Sequence, residues 1–413
     1  MDKKVDTLIV GGGITGISLA SFLDNDDYLI IEKEDEVGGY CKTTKRNGFV
    51  WDYSGHFFHF KNKEIKDYLL ENLECELFEV KKVSHIFYKN KFIDFPFQNN
   101  IHQLNFDEFI ECLHDLTNIE NKEFNNFKEY IKNSLGDAIS DKFLIPYNEK
   151  LYKCDLNELD VNAMGRFFPK KLPVNEFLEN IRYKKYTESY NDSFIYPANG
   201  CYEFIKSILK RVDSKKIKTN IEFIGVDVEN KKITTNKGEI HYNKLVNTIP
   251  FNVFYNKTKS KKFNFTSNKV AVFNLGFDRG TSIKSHWIYF PGDEVFYRVG
   301  FYNNIMDSKN MSLYVEISFK TDDIVNQKEL LDKVLDDLKK CYIIENHNLV
   351  DHQFLLLNPA YVHITEESNY LYNSWSEEFG PKNIYSIGRY GSWTYCSIED
   401  NIIEAKLLAK KLL

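Results

Sequence analysis

Two histidines three residues apart, His56 and His59, sit in the aromatic stretch WDYSGHFFHF (51–60), directly after Gly55. Three chemistries fit such a pair. An HxxH step can begin a metal site, but a metal needs further His, Cys or carboxylate ligands, and no acidic or cysteine cluster accompanies this one. No metal is therefore expected. An imidazole can also serve as general acid or base near neutral pH. Alternatively, rings that follow a glycine can wall a flat cofactor, because glycine lets backbone approach a planar group. The stretch alone leaves the last two readings open.

The elements that would position the pair begin at the N-terminus. VDTLIV (5–10) reads as a buried strand, GGGITG (11–16) as a turn, ISLASFL (17–23) as the start of a helix and YLIIEK (28–33) as a second strand. That order predicts a parallel pair with a right-handed crossover. Gly11, Gly13 and Gly16 form GxGxxG. The first glycine permits the tight turn, the second admits a pyrophosphate, and the third lets helix pack closely on strand. Ile14 and Thr15 open the helix, whose free N–H groups and positive dipole end would face phosphate. Glu32 ends the second strand, 16 residues beyond Gly16, where a carboxylate can accept hydrogen bonds from a ribose; Lys33 follows it. A second glycine pair, Gly38-Gly39, precedes Tyr40.

Further along, residues 62–74 read as an amphipathic helix and SHIFYKNKFIDFPF (84–97) as a hairpin turning near Lys89-Asn90. Residues 102–182 carry helical patterns, with a stop at Gly136-Asp137. Residues 193–212 read as a loop and then a helix. Residues 217–249, which include Val226, alternate as short strands and end in the buried strand KLVNTI. Residues 269–319 are strand-rich, and 327–340 form a helix. NIYSIGRY (383–390) reads as a strand ending in Gly388, and 398–413 as a closing helix.

Composition bounds the rest. The chain has 413 residues, enough for two or three domains. A net charge of −6 argues against a nucleic-acid binder, so an anionic ligand must meet local cations. The seven cysteines are scattered, without a CxxC pair, which excludes a zinc ribbon and fits a reducing cytoplasm. Asp2 and Lys3-Lys4 lead straight into a strand without a signal-peptide pattern, and no apolar run reaches membrane-span length. A cytoplasmic location is expected, with neither a nucleic-acid partner nor a transmembrane segment.

The order GxGxxG, acidic strand end, then Gly38-Gly39 resembles the FAD-binding start of the amine-oxidase and protoporphyrinogen-oxidase clan. Later stretches are more specific. DYSGHFFHFKNKEIKDYL (52–69) followed by YKNKFIDFPFQNN (88–100) resembles the UDP-galactopyranose mutase family. So do FLIPYNEKLYKCDLNEL (143–159), YPANGCYEFIKSIL (196–208), FYRVGFYNN (296–304) and SIGRYGSWTYCSIEDNI (386–402). The matches run in order over nearly the whole chain.

This resemblance implies an α/β fold with a discontinuous Rossmann-like FAD-binding domain (1–75, 193–250 and 366–413). A helical substrate-binding domain (102–182) and a twisted antiparallel sheet domain (76–101 and 251–365) complete it. It implies interconversion of pyranose and furanose forms of a UDP-galactose-like nucleotide-diphosphate sugar for cell-surface polysaccharide synthesis. Reduced flavin N5 would act as nucleophile at the anomeric carbon, so NAD(P)H or another reductant is implied, as is a homodimer. Arg298 would contact the substrate diphosphate, and Arg389 would sit by flavin and sugar. His56 would lie beside flavin N5 and O4, with His59 in support. Phe143 and Tyr147 would stack the base. The FAD set implied is Gly11, Gly13, Ile14, Thr15, Gly16, Glu32, Lys33, Gly39, Tyr40, His56, Phe57, Val226, Gly388, Arg389, Ser397 and Ile398.

Substrate would also meet Tyr152, Tyr186, Tyr361 and Tyr395, with Lys170 the choice among Arg166, Lys170 and Lys171 for a second phosphate cation. Tyr152 stands where the family has a tryptophan. Tyr361 or His363 falls where it has a tyrosine and an aspartate, Ile398 where it has a methionine, and Asp94 where it has an asparagine. These departures leave the sugar open. Two other readings remain: an oxidoreductase of the wider clan, and a flavin-binding scaffold without turnover.

Overall fold

The computed structural model describes residues 3–119, 123–169, 172–183 and 192–412. β1 (Lys3–Val10), α1 (Ile14–Phe22) and β2 (Tyr28–Ile31) form the expected opening unit, with β1 and β2 parallel. The hairpin β3 (Thr43–Arg46)–β4 (Phe49–Asp52) follows. Next come α2 (Lys63–Leu70), β5 (Leu77–Lys81) and the hairpin β6 (Ser84–Tyr88)–β7 (Lys91–Asp94).

A helical block comes next: α3 (Phe106–Thr117), α4 (Phe127–Leu135), α5 (Asp137–Ile139), α6 (Ile145–Tyr152) and α7 (Val174–Tyr183). Local chemistry sets these ends. Asn105 and Asn126 cap α3 and α4 by accepting from the N–H groups of Glu108 and Glu129. Phe127, Ile131 and Leu135, four residues apart, bury one face of α4. Gly136 ends it at φ +79, where a side chain would strike Asp115. A π-helical turn, Ser140–Leu144, joins α5 to α6.

β8 (Ser193–Pro197) and α8 (Tyr202–Leu209) lead into β9 (Ile217–Lys218), β10 (Phe223–Asp227), β11 (Lys232–Thr235), β12 (Gly238–Asn247) and α9 (Phe251–Thr258). The second half contains β13 (Asn268–Phe277), β14 (Trp287–Tyr289), β15 (Arg298–Phe301), α10 (Asn303–Met306), β16 (Ser312–Lys320), α11 (Gln327–Lys340) and β17 (Leu349–Leu357). It closes with α12 (Glu366–Phe379), β18 (Ile384–Ser386), α13 (Gly388–Gly391) and α14 (Ile398–Leu412).

Seven strands make the first sheet, in the order β10-β11-β12-β1-β2-β9, with β18 parallel to the end of β12. One face buries Ile17, Leu19, Phe204, Ile208 and Ala405, from α1, α8 and α14; the other buries Phe251, Phe254, Trp375 and Phe379, from α9 and α12. The last helix of the chain thus packs against the first, as the split reading of the sequence requires.

The second sheet runs β17-β13-β16-β15-β14-β6-β7. β13 is buried at all ten positions, so its alternation serves two cores. Val270 and Val272 face the helical block, whereas Ala271, Phe273 and Leu275 pack with Leu330, Val334 and Leu338 of α11.

Three readings are corrected. Residues 193–197, taken as loop, form β8, because Phe194, Ile195 and Tyr196 are buried on both sides of a two-stranded ribbon and show no alternation. Its partner is β5, so 77–81 joins this ribbon and not the larger sheet. Residues 388–391 form a short helical turn instead of extending β18.

Candidate active site

A cavity of about 1900 Å³ runs from the glycine turn, past the sheet, to the helical block. A typical small-molecule pocket holds about 300–1,000 Å³, so this one has room for two ligands end to end.

At the glycine end, Gly11 adopts φ +107, and a Cβ there would lie 2.4 Å from Thr248 Oγ1. A Cβ on Gly16 would lie 2.0 Å from Gly11 O, so this glycine serves helix–strand packing. A Cβ on Gly13 would meet nothing within 4 Å; this residue faces open space at the N-terminus of α1, which has no side-chain cap. The second glycine pair closes on the first: Gly38 N donates to Gly12 O at 2.8 Å, and Gly39 turns at φ +57. Glu32 accepts from Gly12 N at 2.7 Å and from Glu34 N at 2.9 Å, which aims its carboxylate along the cavity wall. Uncapped N–H groups, an open Gly13 and an oriented carboxylate fit a dinucleotide pyrophosphate and ribose.

Midway, Ser54 takes φ +124 and Gly55 lies against Tyr314, whose hydroxyl would be 2.4 Å from a Cβ at position 55. This turn brings His56 and Phe57 to the cavity. Burial pulls His56 down to about 4, against the pull of Glu316 and with the help of Arg389 and Arg298, so its imidazole is neutral at physiological pH. Its Nδ1 is buried without a hydrogen-bond partner among the described residues. His59 also lines the cavity, but its Nδ1 donates to Ser193 O at 2.8 Å, which ties it to β8. Burial lowers it to about 4 as well. Among the described residues no group of three His, Cys, Asp or Glu could hold a metal.

Arg298 opens β15 directly across from Glu316 of β16. Its Nη2 donates to Glu316 Oε1 at 2.8 Å and its Nε donates to Oε2; among the described residues Nη1 has no hydrogen-bond partner. Arg389 is the second residue of α13, the turn after β18. Its backbone N–H donates to Asn401 Oδ1 at 2.8 Å and its Nη1 to Cys396 O at 3.0 Å. The guanidinium lies 4.6 Å from the Tyr395 ring and 5.5 Å from that of Tyr361. Burial raises the Tyr147, Tyr297, Tyr314 and Tyr361 phenols, so they stay neutral donors.

At the helical end, the π-helical turn presents Phe143 one turn before Tyr147. Their rings are 5.6 Å apart, and Tyr147 meets Tyr289 edge-on at 5.4 Å.

Of the remaining residues singled out in the sequence, Ile14, Thr15, Lys33, Tyr40, Ser397 and Ile398 line the cavity, as do Tyr361, His363 and Tyr395. Others do not. Val226 lies too far along β10; Ile221, Glu222 and Phe223 reach the wall instead. Gly388 is off the wall because Thr15 packs on it, and a Cβ there would lie 2.4 Å from Thr15 Oγ1. Tyr152 is turned into the core at 2% exposure, edge-on to Tyr361. Arg166 reaches the wall but is paired with Asp400 at 2.6 Å. Asp94 pairs with His85 on the outer hairpin. Lys170, Lys171 and Tyr186 lie outside the described residues.

Sequence reasoning missed Ser54, Glu316, Tyr289, Tyr314 and Asn401. Glu316 had a signal: it is the one carboxylate in the apolar run LYVEISF. Asn401 had none, since its role depends on α1 and α14 meeting.

The fold is an α/β one whose Rossmann-like sheet is assembled from both ends of the chain. Residues 9–71 match the NAD(P)-binding Rossmann-like domain family. The crystal structure of reduced UDP-galactopyranose mutase superposes with a TM-score of 0.91 at 23% identity, over 98% of this chain and 93% of that one. An Exiguobacterium protein described as a protoporphyrinogen oxidase superposes at 0.77 with 17% identity, over 100% and 98%. In sequence, the UDP-galactopyranose mutase of Mycoplasma genitalium is 38% identical over 72 residues, which are 16% of this chain and only 18% of that protein. The fold is that of the UDP-galactopyranose mutase structure, as the ordered motifs implied. Among the described residues no helix is long and apolar enough to cross a membrane.

Proposed function

We propose that this chain binds FAD along the glycine end of the cavity and interconverts the pyranose and furanose forms of a nucleotide-diphosphate sugar bound at the other end. The observation that carries this reading is the cavity itself. It joins the glycine turn and Glu32 at one end to Phe143 and Tyr147 at the other, with Arg389 and Arg298 on the wall between them.

Ile14 and Thr15 would meet the cofactor pyrophosphate through their N–H groups, and Glu32 its ribose. When bound and reduced, the flavin supplies a nucleophile for the anomeric carbon. The protein's share is positioning and charge. Arg298 offers Nη1 to a phosphate oxygen while Glu316 holds its other edge. Arg389, boxed by Tyr361 and Tyr395, adds a second fixed cation where diphosphate leaves and returns. Neutral His56, which would lie beside the flavin, could accept or give a hydrogen bond without adding charge. Phe143 and Tyr147 supply flat surface for the base. The sugar and base are those of a UDP-galactose-like substrate in this reading.

The test is anaerobic. Holo-protein is mixed with UDP-galactopyranose and, separately, with amines, and the flavin absorbance is followed with and without a chemical reductant. The mutase reading expects the nucleotide sugar to bind without bleaching oxidised flavin. Bleaching by an amine, with later oxygen consumption, would replace it with an oxidase reading.

A further inference from the structure

Two rungs of contacts cross from the His56 turn to β15 through β16. In the first, Tyr314 of β16 fills the space left by two glycines. A Cβ on Gly55 would lie 2.4 Å from its hydroxyl, and one on Gly300 would lie 1.9 Å from its ring. In the second, two residues along on the same face of β16, Glu316 accepts from Ser54 Oγ on one side and from Arg298 Nε and Nη2 on the other. Ser54 O in turn accepts from His56 N at 2.9 Å. Glu316 is only 2% exposed, and among the described residues its ion-pair partner is Arg298. Register makes the rungs consecutive, since Gly300 pairs with Tyr314 and Arg298 with Glu316.

We propose that Glu316 is a positioning residue that makes the anion-binding guanidinium of Arg298 and the His56 turn one mechanical unit, with Ser54 as the link. This deepens the mutase reading and rests on it for the identity of the anion. A buried carboxylate shared between a guanidinium and a hydroxyl cannot change its bonding to one without affecting the other. When phosphate draws on Arg298, the charge on Glu316 shifts toward Ser54, and the turn carrying Gly55 and His56 responds. Anion binding at one end is thereby reported at the flavin face.

The experiment titrates FAD-loaded protein with inorganic pyrophosphate and, separately, with UDP, reading tryptophan fluorescence for binding and the visible flavin band for the response. In the parent both ligands bind and shift the flavin band. Glu316→Gln weakens pyrophosphate binding at least tenfold and loses the shift, and Glu316→Asp restores part of both. Ser54→Ala loses the shift while pyrophosphate binding weakens by less than threefold, a split that a merely structural carboxylate would not produce. Parent-like binding in Glu316→Gln, or a parent-sized shift in Ser54→Ala, overturns the proposal. Should Glu316→Gln fail to hold FAD, the Ser54→Ala result decides. If the parent binds pyrophosphate but not UDP, the nucleotide-sugar reading falls while the variants still decide the role of Glu316. If it binds neither, both fall.

Discussion

Thr15 Oγ1 donates to Asn401 Oδ1 at 2.8 Å, joining the first helix of the chain to the last across 386 residues. The same amide oxygen accepts from Arg389 N at 2.8 Å, and Asn401 Nδ2 donates to Ser397 O at 2.7 Å. One buried amide therefore fixes the start of α1, the Arg389 turn and the loop before α14, three parts of the wall proposed to hold the flavin.

Removing that link should cost both stability and cofactor. Thr15→Val is close in shape and loses the hydroxyl. We expect destabilisation by about 1–3 kcal/mol, the range for breaking a buried hydrogen bond, together with weaker FAD retention. Thermal melts and the flavin-to-protein absorbance ratio check this; an unchanged ratio would detach the contact from the cofactor site.

The third glycine of the turn has no room to change. In Gly16→Ala the new methyl would sit 2.0 Å from Gly11 O, a backbone atom that cannot swing away. We expect more than about 3 kcal/mol of destabilisation, or loss of α1 packing and of FAD. Gly13→Ala meets no protein atom, so it should fold normally and fail only in FAD binding. Comparing melting temperature with flavin content for the two variants separates packing from ligand approach.

Acid should weaken the fold through the cavity histidines. Burial brings His59 down to about 4 from 6.5. A group whose folded pKa is depressed stabilises the fold above its unfolded value, and that contribution disappears as pH falls from 6.5 through 4. Asp52 runs the other way: burial pushes it up to about 6 from 3.8, so its contribution is present below 3.8 and is lost as pH rises through 6. His59→Gln keeps a hydrogen-bonding side chain without the titration and should flatten the acid limb of the stability profile between pH 6.5 and 4. Denaturant melts across that window check the slope, and a slope equal to the parent's would show that His59 does not titrate there.

Base stacking at the helical end is testable without turnover. Tyr147→Ala should weaken UDP binding by about 1–3 kcal/mol, the usual worth of an aromatic base contact, and Tyr147→Phe should lose little. Competition titrations on FAD-loaded protein read this, and equal losses for both variants would shift the role from the ring to the hydroxyl.

How much of this was readable beforehand follows from where each signal lies. GxGxxG, Glu32 and the second glycine pair are local, because turn and strand chemistry is written within a few residues. Helices such as α11 are equally plain, from Asn326, which accepts from Lys328 N and Glu329 N, to the buried Leu330, Val334 and Leu338. β8 was hidden because burial on both sides removes alternation. The positions of Val226 and Tyr152 depend on register and on which way a helix end turns, and neither is written locally. The Glu316 ladder needs three distant segments, at 54–56, 298–300 and 314–316, to meet. A charged residue in an apolar strand could have flagged it, but its partners could not be read from spacing.

The most direct test of the account is conversion of UDP-galactopyranose by the chemically reduced holo-protein, followed by proton NMR of the anomeric region. The account predicts that furanose resonances grow to a fixed pyranose–furanose ratio, only when the flavin is reduced and with no net change in its redox state. Reduced holo-protein that binds UDP yet leaves the pyranose untouched, or product that forms only as the flavin is oxidised or reduced in step, would contradict it.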